Sequence, residues 1–312
     1  MSGCTGTGKR IQILLSTYNG ETYLKEQLDS FLSLENFSVC NVLIRDDGST
    51  DRTRSILREY EKRKDFKIYY GENIGITKSY YWLLQNSDQL CEYFAFSDQD
   101  DVWLPNKLKL AIDALDECPP NIPVLFASAT QIVDAELRCL NSRGVVKNCR
   151  ISYYNAMVQN VLPGHTQVMN RKLREVILQQ GYDDIHVIDW WYYLVASGIG
   201  VVKYCSECTV LHRQHDGNAV GMQKGLFLNI FRRIQYIKEG RGNAFSKQLY
   251  AFYMRYKSML PEEYSLETEA FLGHLPSVRL RLRYIVTGKV YRQGLMETWI
   301  FKLLYVLGKY KL

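Results

Sequence analysis

The run Ser97-Asp98-Gln99-Asp100-Asp101 sets three carboxylates within four residues, directly after the apolar stretch Tyr93-Phe94-Ala95-Phe96. Carboxylates this close repel one another, so a folded chain must compensate them. A hard divalent cation does this through oxygen ligands and keeps positions open for phosphate oxygens. Bound there, it would neutralise a departing diphosphate. The competing reading is a solvated acidic turn.

Three other loops carry related chemistry. Ser16-Thr17-Tyr18-Asn19-Gly20 offers small polar residues that let backbone approach a nucleotide, with Tyr18 able to lie against a base. Turns have similar compositions without any ligand. In Asp46-Asp47-Gly48-Ser49-Thr50-Asp51, an acidic side chain can accept the imide N–H of uracil or thymine, while Ser49 or Thr50 can cap a helix. Asn73-Ile74-Gly75 again supplies small polar groups. Two patterns are set aside. Gly3-Cys4-Thr5-Gly6-Thr7-Gly8-Lys9 resembles a phosphate-binding loop, but Arg10 stands where Ser or Thr is needed, and a strand follows where a helix should. Cys205 and Cys208 form a CxxC near His212 and His215, and read as two half-buried thiols rather than half of a zinc site.

The elements that must position these loops follow from hydrophobic periodicity. Apolar runs at 11–16, 42–45, 66–70 and 93–97 read as buried strands, with helical spacing between them at 22–34, 51–60 and 77–84. A helix over 106–115 follows Pro105. This alternation predicts an α/β fold with a mostly parallel sheet flanked by helices, whose ligands bind at the carboxyl ends of the strands. In the middle third, 124–133, 162–170, 201–204 and 209–212 read as strands, and 172–180 and 189–196 as helices. From about Gly225 the pattern turns helical, aromatic and basic. The expected division is therefore 1–224 as the catalytic domain and 225–312 as a helical C-terminal region.

Composition narrows the classes. With 46% hydrophobic and 23% charged residues the chain suits a globular core, and its net charge of +6 suits an anionic ligand or surface. Eight scattered cysteines in a chain this long read as reduced thiols. No apolar run approaches the roughly 20 residues that span a bilayer, and residues 1–10 do not resemble a signal peptide. A cytoplasmic location is expected, and no recognised nucleic-acid module is visible.

In order and spacing, Ser16 to Gly20, Asp46 to Asp51 and Asp98-Gln99-Asp100-Asp101-Val102-Trp103 resemble glycosyltransferase family 2, which has the GT-A fold. The wording Ser97 to Trp103 is most similar to rhamnosyltransferase-like members that build bacterial surface polysaccharides. The likeness continues through Pro163-Gly164-His165-Thr166, with His165 replacing the commoner Cys, and Asp189-Trp190-Trp191, with Ile188 replacing His. It ends with Arg213-Gln214-His215, Asn218 and Gly221. The resemblance implies an inverting, Mn2+- or Mg2+-dependent transfer from a nucleoside-diphosphate sugar, dTDP-rhamnose being favoured, to an oligosaccharide or lipid-linked acceptor. A UDP-hexose such as UDP-glucose or UDP-galactose is the alternative donor, and a non-catalytic glycan- or nucleotide-binding partner the alternative class.

It also implies roles. Thr17, Tyr18, Asn19, Asp46, Asp47, Asn73, Asp98 and Gln99 would hold the nucleotide sugar, and Asp100 and His215 the metal. Asp189 would be the general base, although it also reads as a helix cap before an aromatic core stripe. Asp101, Gly164, His165, Trp190, Trp191 and Arg213 would support the site or line its acceptor side, with the two tryptophans mainly packing.

The C-terminal segment adds a separate expectation. From Ser277 to Leu312 there are eight Lys or Arg and one acidic residue, Glu297, interleaved with apolar and aromatic side chains such as Trp299 and Phe301. Such a segment reads either as an amphipathic helix on the anionic inner face of a membrane or as a helix packed on the protein with a solvated basic face.

Overall fold

A computed structural model describes residues 10–35, 37–140, 149–181, 183–215 and 241–310. The phosphate-loop-like segment and the Asn218 and Gly221 positions lie outside the described residues. The chain forms two compact units.

The first unit takes in residues up to 147, 162–179 and 201–215. Its strands are β1 (Ile11–Thr17), β2 (Cys40–Asp46), β3 (Phe66–Tyr70), β4 (Tyr93–Ser97), β5 (Val102–Trp103), β6 (Val124–Val133), β7 (Val168–Asn170) and β8 (Val201–Arg213). They form one sheet in the order β3-β2-β1-β4-β7-β6-β8-β5. The helices are α1 (Leu24–Leu32), α2 (Thr53–Tyr60), α3 (Ile76–Gln85) and α4 (Lys107–Asp116), with most of α6 (Arg171–Gln180). Strands β3, β2, β1 and β4 run parallel, while β7 is antiparallel to both neighbours. Ile11, Ile13, Leu14 and Leu15 of β1 have no exposed surface, as expected of a parallel strand covered on both faces.

Register decides where the loops emerge. Thr17 pairs with Asp46 and Asp46 with Tyr70, so β1, β2 and β3 end level with one another. Ser97 pairs with Leu15, so β4 ends two residues short of that line on the same edge. All four predicted loops therefore open at one carboxyl edge.

The middle third departs from the sequence expectation in two places. The runs 201–204 and 209–212 belong to one long strand, β8, which pairs in parallel with β6 through a bulge. Ser128 pairs with Cys205, Ala129 with Cys208 and Thr130 with Val210. The CxxC thus spans an irregularity that makes one strand read as two. The strand expected over 162–170 is a short 3-10 turn at Gly164–Thr166 followed by β7.

The second unit gathers 148–161, 180–200 and the residues from 216 on. It holds α5 (Tyr153–Ala156), α7 (Ile188–Ile199), α8 (Arg241–Tyr256), α9 (Glu262–Gly273), α10 (Val278–Thr287) and α11 (Leu295–Val306). The sequence expectation assigned everything before 225 to one domain. Residues 148–161 and 180–200 instead cluster with the C-terminal helices, because the core of this unit is aromatic packing shared among them. Trp191 on α7 meets Phe252 and Tyr256 on α8, and Tyr153 on α5 stacks on Tyr264 of α9.

Candidate active site

The nucleotide-side loops hold one another in shape. Gln99 of the acidic loop clamps the β1 loop: its Oε1 accepts from Thr17 Oγ1 at 2.6 Å and Tyr18 N at 2.9 Å, and its Nε2 donates to Tyr18 O at 3.2 Å. Gly20 permits this closeness, since a Cβ there would lie 2.5 Å from Gln99 Oε1. Asn19 adopts a left-handed backbone, φ 47°, and its Oδ1 accepts from Thr50 N at 2.9 Å, joining the β1 and β2 loops. Tyr18 is left exposed beside this tie.

Asp46 and Asp47 are buried and engaged by protein donors. Asp46 Oδ2 accepts from Arg54 Nε at 2.7 Å, and both its oxygens face Ser49 N. Asp47 pairs with buried Arg45 and accepts from Ile74 N at 2.9 Å and Gly75 N at 3.0 Å. The pair therefore fixes the β2 loop against the exposed Asn73-Ile74-Gly75 turn, a role that the sequence did not disclose. Gly48, φ 84°, packs so closely that a Cβ would fall 2.8 Å from Asn73 N.

The acidic loop divides into an inner and an outer part. Asp101 is fully buried. Its Oδ1 accepts from Arg213 N at 3.2 Å and faces His212 Nδ1 at 2.8 Å. Its Oδ2 has no hydrogen-bond partner among the described residues and lies 3.6 Å from His165 Nδ1, which is 3.3 Å from Asp98 Oδ2. The imidazoles of His165 and His212 stack with centroids 4.5 Å apart. Burial lowers the proton affinity of His212, but the Asp101 hydrogen bond and the nearby charges of Asp101, Asp98 and Asp100 outweigh it and raise its pKa. At Asp98, burial is likewise outweighed by His165, His212 and the Tyr80 hydroxyl, which donates at 3.0 Å, so its carboxyl is held below the usual range.

Asp100 faces the other way in electrostatic terms. Burial, followed by the charges of Asp101 and Asp98, raises its pKa. His215 Nε2 lies 3.0 Å from its Oδ2. A carboxylate crowded by two others and facing an imidazole fits a divalent cation, which relieves the repulsion. Among the described residues, Asp101, His165 and His212 also bring ligand atoms within 4.8 Å of one another. Cys205 and Cys208 form no disulfide among the described residues and lie outside that group.

Arg213 ties the loop to the fold. Its Nε donates to Asp100 O at 3.0 Å, one terminal nitrogen to Ala135 O, and the other to Glu26 Oε2 on α1 at 2.6 Å. Its guanidinium lies over the Tyr23 ring, which also meets His215. Lys107 is fully buried over Trp103 and donates to His165 O at 3.0 Å. Sequence reasoning passed over Lys107 and Tyr80, and it used His212 only as a zinc alternative. The spacing of His212 three residues before His215 was the one available signal.

Asp189 sits in the first turn of α7, in the second unit. Its Oδ2 accepts from Asn160 Nδ2 at 2.8 Å and its Oδ1 from Trp190 N at 2.8 Å. The N-cap is Val187, so Asp189 is inside the helix rather than capping it. Trp190 donates to Ala156 O and stacks on Phe245, while Trp191 is fully buried.

A mostly parallel sheet flanked by helices, with the β1, β2 and β3 loops and an acidic loop on one carboxyl edge, is the architecture of the GT-A fold. The chain belongs to glycosyl transferase family 2, whose family model matches residues 12–172, and it is a glycosyltransferase. It is 28% identical over 225 residues to the dTDP-rhamnosyl transferase RfbG of Shigella flexneri, a match covering 66% of this chain and 73% of that one. An uncharacterized Mycobacterium tuberculosis protein is 29% identical over 217 residues, covering 66% of this chain and 59% of the relative. Among solved structures, S. aureus TarS 1-349 in complex with UDP-GlcNAc aligns with TM-score 0.56 at 15% identity, covering 96% of this chain and 90% of that one. The mannosyltransferase PcManGT from Pyrobaculum calidifontis, in complex with GDP-Man and Mn2+, aligns with TM-score 0.55 at 17% identity, covering 96% and 85%.

The buried Lys107 yields a pH prediction. Burial lowers its pKa from 10.5 to about 7, only partly offset by Asp101. Between those values the unfolded chain binds the extra proton, so this group makes stability rise with pH, by at most about 1.4 kcal/mol per pH unit. Below pH 7 its penalty is present in full. Urea unfolding of wild type and Lys107→Met should show a stability difference that moves in favour of wild type from pH 7 to pH 10. A pH-independent difference refutes the assignment.

Proposed function

We propose that the enzyme transfers rhamnose from dTDP-rhamnose to a growing surface polysaccharide or a lipid-linked acceptor, with inversion at the anomeric carbon. The observation that carries this reading is the gathering of the β1, β2 and β3 loops and the acidic loop on one sheet edge of a family 2 chain. The rhamnose choice draws support from the likeness to RfbG. A UDP-hexose is the second reading, favoured by the fold shared with TarS, solved with UDP-GlcNAc.

In this reading Thr17, Tyr18, Asn19 and Asn73 flank the nucleotide, with Tyr18 exposed and able to lie along the base. Asp46 and Asp47 contribute by fixing the loop that surrounds it, and Gln99 by clamping the β1 loop. Asp98 serves the ribose. Asp100 and His215 hold Mn2+ or Mg2+, which when bound supplies charge for the departing diphosphate. His165, Gly164, Asp101 and Arg213 support this arrangement.

Asp189 takes the proton from the acceptor hydroxyl as its oxygen attacks the anomeric carbon and the nucleoside diphosphate leaves. The amide of Asn160 orients one carboxylate oxygen through the 2.8 Å hydrogen bond. The ring passes through an oxocarbenium-like transition state. No helix among the described residues is long and apolar enough to cross a membrane. The reading puts the enzyme at the cytoplasmic face of the membrane, where a lipid-linked acceptor is presented.

Three measurements test this reading. With Asp100→Asn, nucleotide-diphosphate binding should lose its dependence on Mn2+ or Mg2+ and transfer should vanish, while thermal stability without metal stays near wild type. Near-normal turnover removes Asp100 from the metal site. With Asp189→Asn, turnover should fall by roughly two orders of magnitude or more with donor affinity unchanged. Lost donor affinity with an intact rate at saturation would make Asp189 a binding residue. Finally, dTDP-rhamnose should be transferred or slowly hydrolysed faster than UDP-glucose or UDP-galactose. The reverse order discards rhamnose and leaves the glycosyltransferase in place.

A further inference from the structure

Helices α10 and α11 each have one face in the core of the second unit. Tyr284 of α10 and Phe301 and Tyr305 of α11 pack around Phe271 of α9, all four being nearly fully buried. Arg281 is buried as well, and its Nε donates to Val306 O at 3.0 Å, fastening α10 to the end of α11. Lys302 Nζ donates to Ile285 O at 2.7 Å and makes a second tie.

The remaining faces are apolar where a solvated helix would be polar. On α10, Val278, Leu282 and Val286 recur every four residues and are exposed, Val286 by 82%. Arg279 and Arg283, both exposed, lie one position further along and flank that stripe. On α11 and just beyond it, Leu295, Trp299, Leu303 and Leu307 repeat the four-residue spacing, with Met296 beside them. Leu295 is 85% exposed and Trp299 69%. Nine of the twenty exposed large hydrophobic side chains among the described residues lie between 278 and 307. Dispersed exposure of this kind is ordinary, but its concentration on two adjacent stripes is not.

Charge selects the occupant. Arg279 and Arg283 are exposed beside the α10 stripe, and Lys309 is exposed just past α11. The single acidic residue of the two helices, Glu297, is drawn to Arg292 at 3.4 Å. Apolar stripes bordered by cations, with an exposed tryptophan, match a surface of hydrocarbon edged by anionic headgroups. A second protein copy would bring the same cations against themselves if it docked face to face.

We propose that the outer faces of α10 and α11 are a docking surface for an anionic lipid bilayer, with Leu295, Trp299, Leu303, Val286 and Leu282 entering the headgroup boundary and Arg279 and Arg283 meeting lipid phosphates. This gives residues to the membrane placement in the proposed function but does not depend on the sugar donor. Lipid binding is read with no donor present, so failure of one leaves the other intact.

The test is co-sedimentation of the full chain with vesicles of phosphatidylcholine alone or mixed with phosphatidylglycerol. Binding should require phosphatidylglycerol and fall as salt is raised. Arg279→Glu with Arg283→Glu should weaken it at least ~10-fold. Trp299→Ser with Leu303→Ser should weaken it as well, although it leaves the charge unchanged. All four positions are exposed, and unchanged circular dichroism confirms the fold of each variant. Equal partitioning to both vesicle types, or none to either, overturns the proposal. So does self-association, seen by light scattering without lipid, that the Trp299→Ser, Leu303→Ser variant abolishes, since a second copy would then be the occupant.

Discussion

The structure depends on placing three carboxylates at the end of one strand without letting their mutual repulsion open the fold. The solution is local and uneven. Asp101 points into the protein, where the backbone N–H of Arg213 and the imidazole of His212 meet one oxygen, and His165 stands near the other. Lys107 is buried on the same side, where Asp101 partly offsets the burial that lowers its pKa to about 7. These partners come from three elements: His212 and Arg213 from β8, His165 from the 3-10 turn before β7, and Lys107 from α4. Compensating one aspartate therefore requires the β7-β6-β8 side of the sheet to be assembled against the β3-β2-β1-β4 side. A buried charge without such partners would cost several kcal/mol.

The same requirement explains Arg213. Its guanidinium reaches the acidic loop backbone, the segment after β6 and Glu26 on α1, so one side chain links elements separated by 187 positions in sequence. Arginine suits this post because its charge persists and its fork of donors spreads over several acceptors. Gln99 does a similar task with a neutral amide, tying the acidic loop to the β1 loop. The β1 loop is thus braced by the acidic loop.

How much of this was legible in the sequence varies with the range of the interaction. The four parallel strands were legible because each is a short apolar run followed by a helical period. The acidic loop was legible because three carboxylates after such a run need an explanation. The two halves of β8 were legible but their continuity was not, since exposed Ser206 and Glu207 interrupt the apolar pattern at the bulge. Lys107 reads from sequence as an ordinary residue near the start of a helix. Only packing of α4 under Trp103 and the His165 carbonyl takes it out of water. Asn160 is also silent in sequence, lying 29 positions from the carboxylate it orients. The interleaving of the two units escaped for the same reason, because aromatic contacts such as that of Tyr153 with Tyr264 join segments that no periodicity relates.

The uneven treatment of the carboxylates separates the two groups of potential ligands along the loop. Asp101 is fully enclosed, with the Arg213 N–H and the His212 imidazole on one oxygen, whereas Asp98, Gln99 and Asp100 retain partial exposure. A cation entering beside Asp101 would have to displace or repel the charges that already stabilise it. At Asp100 the balance is reversed, since burial and its two acidic neighbours leave its ionised form short of compensation, with His215 the imidazole that faces it. In the proposed reading a dication held by Asp100 and His215 would relieve that shortage and supply charge for the diphosphate. The protein's own groups thus engage the inner carboxylate and leave the outer one partly exposed. In the proposed reading the loop carries three acids because one anchors it and the others would receive the metal and the donor.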